Sequence, residues 1–332
     1  SSVYHRRDLS RINFLFSLGV RVRPALPFLI AKGGWNTLKK LTKNDNIGIF
    51  YILPALIYMC VLVVYPIISN IILSLQDITV KTFSQPEKPF VGFQNYIALF
   101  QDPVLSMSIG NTLLFTVSCL IFQFIIGFAL ALFFTKNFTG SRPIRGLLMM
   151  PWMIPITVTA LMFKFMFGTN VGIINQALMS LGVIGSPIEW LTTSGTAMFA
   201  LVVANIWIGI PFNMILISTG LTTIPKELYE SASIDGANKI STFFRITLPL
   251  LKPTIESVLV LGFIYTFKVF DLVYVMTDGG PVNTTQMLST YSYKQSFEMF
   301  NYSKGAAAAN ILFVILLLVS LIYLKVTYTE ED

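Results

Sequence analysis

The chain has 332 residues, 54% of them hydrophobic and only 12% charged, with 28 phenylalanines and a formal net charge of +7. Soluble domains carry roughly 25% charged residues, so lipid is the expected solvent for most of this chain, and the first expectation is a polytopic membrane protein. The basic residues sit mostly at the ends of apolar runs and form no base-reading motif, which makes them a topology signal and argues against nucleic acid as a partner.

Residues 1–46 hold nine Lys and Arg (Arg6, Arg7, Arg11, Arg21, Arg23, Lys32, Lys39, Lys40 and Lys43). The apolar stretch at 10–31 is broken by Arg21, Arg23, Pro24 and Pro27. Two central arginines cost on the order of 5–7 kcal/mol in a span, so this segment reads as an amphipathic arm at the interface, and no small-residue cleavage pattern makes it a signal peptide. Six apolar runs of spanning length follow, at 48–75, 109–135, 146–167, 196–219, 254–276 and 305–325. Pro54, Pro66, Pro151, Pro155 and Pro211 fall inside them, which membrane helices tolerate when neighbours satisfy the freed backbone. Cys60 and Cys119 lie in apolar runs and read as small fillers. The single histidine, His5, sits in the basic arm and leaves no His-based catalytic or metal site within the spans.

The connections alternate in charge. Lys136, Arg142 and Arg145 lie in 136–145, and Lys226, Lys239, Arg245 and Lys252 in 220–253, whereas 168–195 has neither Lys nor Arg. Positive-inside topology then puts both termini and the 220–253 loop in the cytoplasm, with 327–332 as a cytoplasmic tail. The opposite connections contain "FVGFQNYIALF" (90–100), with aromatics at helical spacing, and the turn cluster "TDGGPVNTT" (277–285). Both are open to two readings: packing on the membrane's outer face, or docking of an extracytoplasmic partner.

The 220–253 loop is polar between apolar neighbours. Pro225 suits a helix start; Ile224, Leu228 and Ala232 repeat at helical spacing; Ser231, Ala232 and Ser233 are small; Gly236 can adopt the left-handed backbone that stops a helix. A second amphipathic piece with Phe243, Phe244, Ile246 and Leu248 runs to Pro249. Helix, tight turn and helix could form a lever gripping a soluble partner, or merely join two spans. The fourth run places Asn205, Ile208, Gly209 and Phe212 on one helical face, which suits either a sugar, with Gly209 admitting the ligand to the backbone, or helix packing. Trp207 and Asn213 lie in the same run. Lys268 and Asp271 are ionisable groups deep in the fifth run, a functional-site hypothesis in a membrane; the competing reading is an i, i+3 pair within one helix. Lys164 and Glu256, near span ends, read as snorkelling side chains.

Glu230-Ser231-Ala232, then Asp235-Gly236-Ala237, Phe243, Ile246 and Leu248-Pro249 resemble the EAA motif of ATP-binding-cassette importer permeases, with Ser231 in place of the first alanine. "FVGFQNY", "NIWIGIPF" (205–212) and "TDGGP" are similar to landmarks of the maltose-type sugar permeases, and the likeness extends from about residue 47 to 325. The resemblance implies an all-α integral membrane protein of six transmembrane helices, the type I importer permease fold, with a cytoplasmic coupling helix. It implies docking of Glu230, Ser231, Ala232, Asp235, Gly236 and Ala237 on an ATPase, and sugar contacts at Trp152, Ile156, Asn205, Ile208, Gly209, Phe212, Thr266 and Val269. Ile156, Thr266 and Val269 depart from the family's residues, so the sugar can differ, and Lys268 facing the path would favour an anionic, uronic-acid type saccharide. No Gly-x-x-x-x-Gly-Lys-[Ser/Thr] run is present, so ATP and Mg belong to a partner. The implied assembly has a second permease, two copies of the ATPase subunit and an extracytoplasmic solute-binding protein, in a bacterial cytoplasmic membrane. An ion-coupled secondary transporter is the runner-up, without the internal repeat that class often shows; a membrane enzyme would need clustered acid–base residues in the spans.

Overall fold

The computed structural model describes residues 46–136 and 138–330. The arm expected over 1–46, apart from Asn46, lies outside the described residues. The chain divides into one unit ending at Pro66 and another beginning at Ile67. Four helices are long and apolar enough to cross a membrane: Tyr51–Ser74, Pro103–Thr135, Ser194–Thr223 and Tyr302–Lys325. Two further pairs of helices, Ser141–Met153 with Ile156–Met166 and Lys239–Leu250 with Lys252–Phe267, meet at bends of 95° and 64°, and the count is six if each pair is one span.

The first span, α1, runs as Asn46–Met59, a π-helical stretch Cys60–Val64 and Tyr65–Ser74. A short helix, α2 (Gln94–Phe100), follows, and then α3 (Pro103–Thr135), six residues longer at its start than the apolar run alone suggests. Asp102 explains that start. Its side chain accepts from Val104 N at 2.9 Å and Pro103 needs no hydrogen-bond partner in the first turn. At 33 residues α3 is about 50 Å long. Its partner α6 (Ser194–Thr223) continues through Pro211, which leaves the Trp207 carbonyl without its usual helix donor.

Helices α3 and α6 pack closely because small residues let their backbones approach. A Cβ on Gly127 would lie 2.5 Å from the Asn213 Cβ, and one on Gly209 would lie 2.2 Å from the Gln123 Cδ. Cys119, Ala200 and Ala204 are fully buried, so Cys119 fills this interior, whereas Cys60 is exposed. Around it Phe163 meets Trp207 edge-on at 5.6 Å, a contact worth about 0.5–1.5 kcal/mol beyond area burial. Trp207 is therefore a packing residue.

The third and fifth apolar runs do not form continuous helices. In the third, α4 (Ser141–Met153) is bent by 95° from α5 (Ile156–Met166). Ile154 and Pro155 are extended at the junction, with ψ of 134° and 135°, a geometry that proline favours in the residue before it and adopts itself. At 11 residues α5 is about 16 Å long, roughly half the hydrocarbon core. In the fifth, α9 (Lys252–Phe267) ends at Lys268 and a separate six-residue helix, α10 (Asp271–Met276), begins. Phe270, at φ −131° and ψ −65°, marks the break. A short helix, α11 (Leu288–Tyr293), precedes the last helix, α12 (Tyr302–Glu330), which runs on through most of the expected tail.

Candidate functional site

The bends in the third and fifth runs open onto one cavity of about 420 Å³ in the unit that begins at Ile67. From α4 and α5 come Trp152 and Ile156; from α6 come Asn205, Ile208, Gly209 and Phe212; from α9 and the break after it come Thr266, Lys268, Val269 and Asp271. All ten residues named from the sequence for the substrate path thus line the same space. Gln123, Ile154, Gly262, Tyr265 and Phe270 also line it and are the additions that the sequence did not single out.

The wall has an aromatic side and a polar side. Trp152 lies 6.3 Å from Phe212, and Phe212 meets Tyr265 edge-on at 5.7 Å, ring centroid to ring centroid. Three elements thus contribute one run of aromatic surface, and Trp152 and Tyr265 are both more than half exposed. The ammonium of Lys268 sits over the Tyr265 ring, 5.2 Å from its centroid, a cation–π contact. On the polar side Asn205 is nearly buried, and Gln123 Nε2 donates to its backbone carbonyl at 2.9 Å. The space a Cβ would take on Gly209 belongs to Gln123, so this glycine makes room for a neighbouring side chain and also lines the cavity. Asn213 faces away from the cavity's lining and donates to its own helix at Gly209 O, 2.9 Å.

The Lys268–Asp271 pair expected within one helix does not form. The helix ends between them, and among the described residues no salt bridge joins them. Lys268 instead follows the C-terminal end of α9 and Asp271 opens the N-terminal end of α10. Each charge therefore sits at the helix end that favours its sign. Other groups satisfy the interrupted backbone. Ser289 Oγ donates to the Val269 carbonyl, Val269 N to Thr266 O at 3.1 Å, and Lys164 Nζ to Val275 O at 2.8 Å. Lys164 thus does not merely snorkel: it caps the far end of α10. Glu256 pairs with Lys252 at 3.9 Å, one helical turn away.

The polar loop folds as two helices joined by a tight turn. Pro225 precedes α7 (Lys226–Ile234) as its N-cap, one position earlier than the sequence suggests. Gly236 takes φ +77°, and Ala237 N closes the helix on Ala232 O at 2.9 Å, the left-handed stop that glycine allows. Asn238 then caps α8 (Lys239–Leu250), accepting from Ser241 N at 2.7 Å. Ala232 and Ile224 turn inward, while Glu230, Ser231, Asp235 and Gly236 are exposed and Ala237 is half-buried. Ile234 is 86% exposed on the same helix, an apolar side chain with no cover in this chain. The Tyr229 hydroxyl, 3.2 Å from Thr247 Oγ1, joins the two helices of the loop, and Phe243 ties the loop to α3 by packing edge-on against Phe128 at 5.8 Å.

Residues 123–327 match the profile of the binding-protein-dependent transport system inner membrane component family. The chain belongs to that family. The permease is 35% identical over 297 residues to the trehalose/maltose transport system permease protein MalF of Thermococcus litoralis, covering 89% of this chain and 98% of the relative. It is 33% identical to the sulfoquinovosyl glycerol transport system permease protein SmoG of Agrobacterium fabrum, over 86% of this chain and 91% of that one. Among solved structures, a chain of a bacterial ABC transporter involved in the import of the acidic polysaccharide alginate superposes with a TM-score of 0.72 at 25% identity, covering 88% of the permease and 99% of that chain. The matched segment begins at Gln123 and takes in every element that lines the cavity as well as the two-helix loop.

Proposed function

We propose that this permease forms half of the translocation pathway of an ATP-driven carbohydrate importer, binds an oligosaccharide in the cavity between α4, α5, α6 and α9, and couples to a separate ATPase through α7 and α8. One observation carries this reading: aromatic faces, an amide, a hydroxyl and a cation converge on a single cavity at two helix breaks. Sugars need such a set, with apolar ring faces for stacking and a few placed polar groups for orientation. Broken helices in a membrane are tolerated where they line a cavity. The names of the relatives support it, since they carry trehalose and maltose, or arabinooligosaccharides in the 33%-identical permease AraP of Bacillus subtilis.

The exposed Glu230–Ala237 surface is the docking face for the ATPase, which supplies ATP and Mg. Two ATPase copies, a second permease and an extracytoplasmic solute-binding protein complete the importer, which works by alternating access in a bacterial cytoplasmic membrane with both termini inside. The basic 136–145 and 220–253 loops support that orientation. Lys268 selects for an acidic saccharide by offering its ammonium to a carboxylate beside the Tyr265 face, while Asp271 accepts from sugar hydroxyls.

The test is a panel of neutral and uronic-acid oligosaccharides given to the reconstituted importer with its binding protein, reading stimulated ATP hydrolysis and uptake. The expected result is stimulation by acidic saccharides, reduced about tenfold by K268Q, as loss of one charge-assisted hydrogen bond predicts. Stimulation by neutral sugars alone, unchanged in K268Q, rejects the acidic cargo and keeps the importer. ATP hydrolysis that no saccharide stimulates rejects carbohydrate altogether.

A further inference from the structure

We propose that α2 is a lipid anchor, a short helix laid in the boundary between headgroups and hydrocarbon where the first span ends. Its inner face is fixed to that end. The Asn95 amide donates to the carbonyls of Ser74 and Gln76, both at 2.8 Å, and is nearly buried; these are carbonyls that a helix C-terminus leaves without partners. The backbone adds Val91 N and Gly92 N to Leu75 O at 2.9 and 3.1 Å. Tyr96 places its hydroxyl 2.8 Å from Ser74 Oγ and 3.0 Å from Asn310 Nδ2 of α12, and Leu99 is buried against Leu105 and Ala307. The helix therefore cannot roll over to hide its other side.

That other side is apolar and uncovered in this chain. Phe93, Ile97 and Phe100 recur at i, i+4 and i+7, one helical face, and are 71%, 58% and 67% exposed; Phe90, just before them, is 73% exposed. Three phenylalanines and an isoleucine facing water at the rim of a membrane protein would be unfavourable. The chemistry of the patch selects its occupant. Residues 90–101 contain no charged side chain, and the stretch is bracketed by Lys88 and Asp102. A face that recognises a soluble protein is expected to carry a polar, charge-bearing rim, whereas an uncharged apolar face between polar flanks, held at the end of a span, suits the acyl boundary. Exposed apolar residues run along the first span to Ile72 and appear again at Val80, Phe83 and Phe90, so the lipid contact continues from the span onto α2. This inference does not depend on the cargo or on the ATPase.

Nitroxide labels at F93C, I97C and F100C, one at a time, test it in the full importer reconstituted in liposomes. A C60S background removes the exposed native thiol, and Cys119 is buried and takes no label. Gln94 and Gln101, exposed on either side, give the controls Q94C and Q101C. Uptake equal to the unlabelled protein shows that each variant is folded. The expected result is a label that collides readily with oxygen and poorly with a water-soluble nickel chelate at 93, 97 and 100, with the reverse at 94 and 101. Chelate access at all five positions would overturn the proposal by showing the face in water. Exclusion of both reagents at 93, 97 and 100 would overturn it by showing a protein cover, whether the binding protein or a second permease.

Discussion

The unbroken helices α3 and α6 and the interrupted pairs α4–α5 and α9–α10 all contain apolar runs of spanning length, yet they do different work. In α3 and α6 close approach is the organising fact: Gly127, Gly209, Cys119 and Ala204 bring two long rods together, Gln123 reaches across to the Asn205 carbonyl and Asn213 bonds to its own helix. In the interrupted pairs the backbone leaves the helix at Ile154–Pro155 and at Lys268–Phe270, and at the second break Ser289 takes over the Val269 carbonyl. The rods give the cavity a fixed back wall. The breaks give it width and chemistry, because a helix end can present a charge that a continuous apolar helix cannot.

Three tests sharpen or break this contrast. The largest effect is expected on the rods. G209V drives new atoms into Gln123, and overpacking of this kind costs about 1–3 kcal/mol; thermal unfolding of the purified permease should show a clear loss of stability, and uptake should disappear. Combining G209A with Q123A should return most of the stability that G209A alone removes. No recovery would mean that Gly209 serves something other than the Gln123 contact. Next is P155A, at the 95° bend. Here the expected loss is functional, about tenfold or more in uptake, roughly 1.4 kcal/mol or more, with a melting temperature unchanged or raised because alanine favours helix by about 3 kcal/mol over proline. A parallel loss of melting temperature would place Pro155 with the rods. The smallest effect is expected for K164M, which removes the donor to Val275 O. A hydrogen bond from a charged group is worth about 1.5–3 kcal/mol at most; the side chain is exposed, so a several-fold fall in uptake with intact assembly is expected. Unchanged uptake would show that α10 needs no cap at that end.

The same contrast explains what could be read from the sequence. Spans two, four and six were legible because nothing competes with a long apolar run, and only their ends moved: α3 starts at Pro103 and not at 109 because Asp102 caps it. The two-helix loop was legible through Gly236, whose left-handed backbone is the local signal that ends α7. The breaks were not. Pro155 was visible, but so were Pro54 and Pro211, and both of those lie inside intact helices. At "FKVFD" there is neither proline nor glycine; the Val269 carbonyl at that break is bonded by Ser289, which lies in a later element of the chain. The ten cavity residues could be named through the family resemblance and through the depth of Lys268 and Asp271. Gln123 was hidden as a lone amide in an apolar run, and Tyr265 because only the end of α9 at Lys268 turns its ring toward Phe212 and the ammonium.

In the importer proposed above, the gap between Lys268 and Asp271 bears on how firmly cargo is held. Because each is steadied by a helix terminus and neither bonds the other, an incoming sugar can bridge ammonium and carboxylate without first prising apart an ion pair. It also leaves without waiting for one to re-form. A carrier requires this kind of shallow energy well, since a site that must both load and empty in each turnover is served by contacts that are individually weak and quickly exchanged.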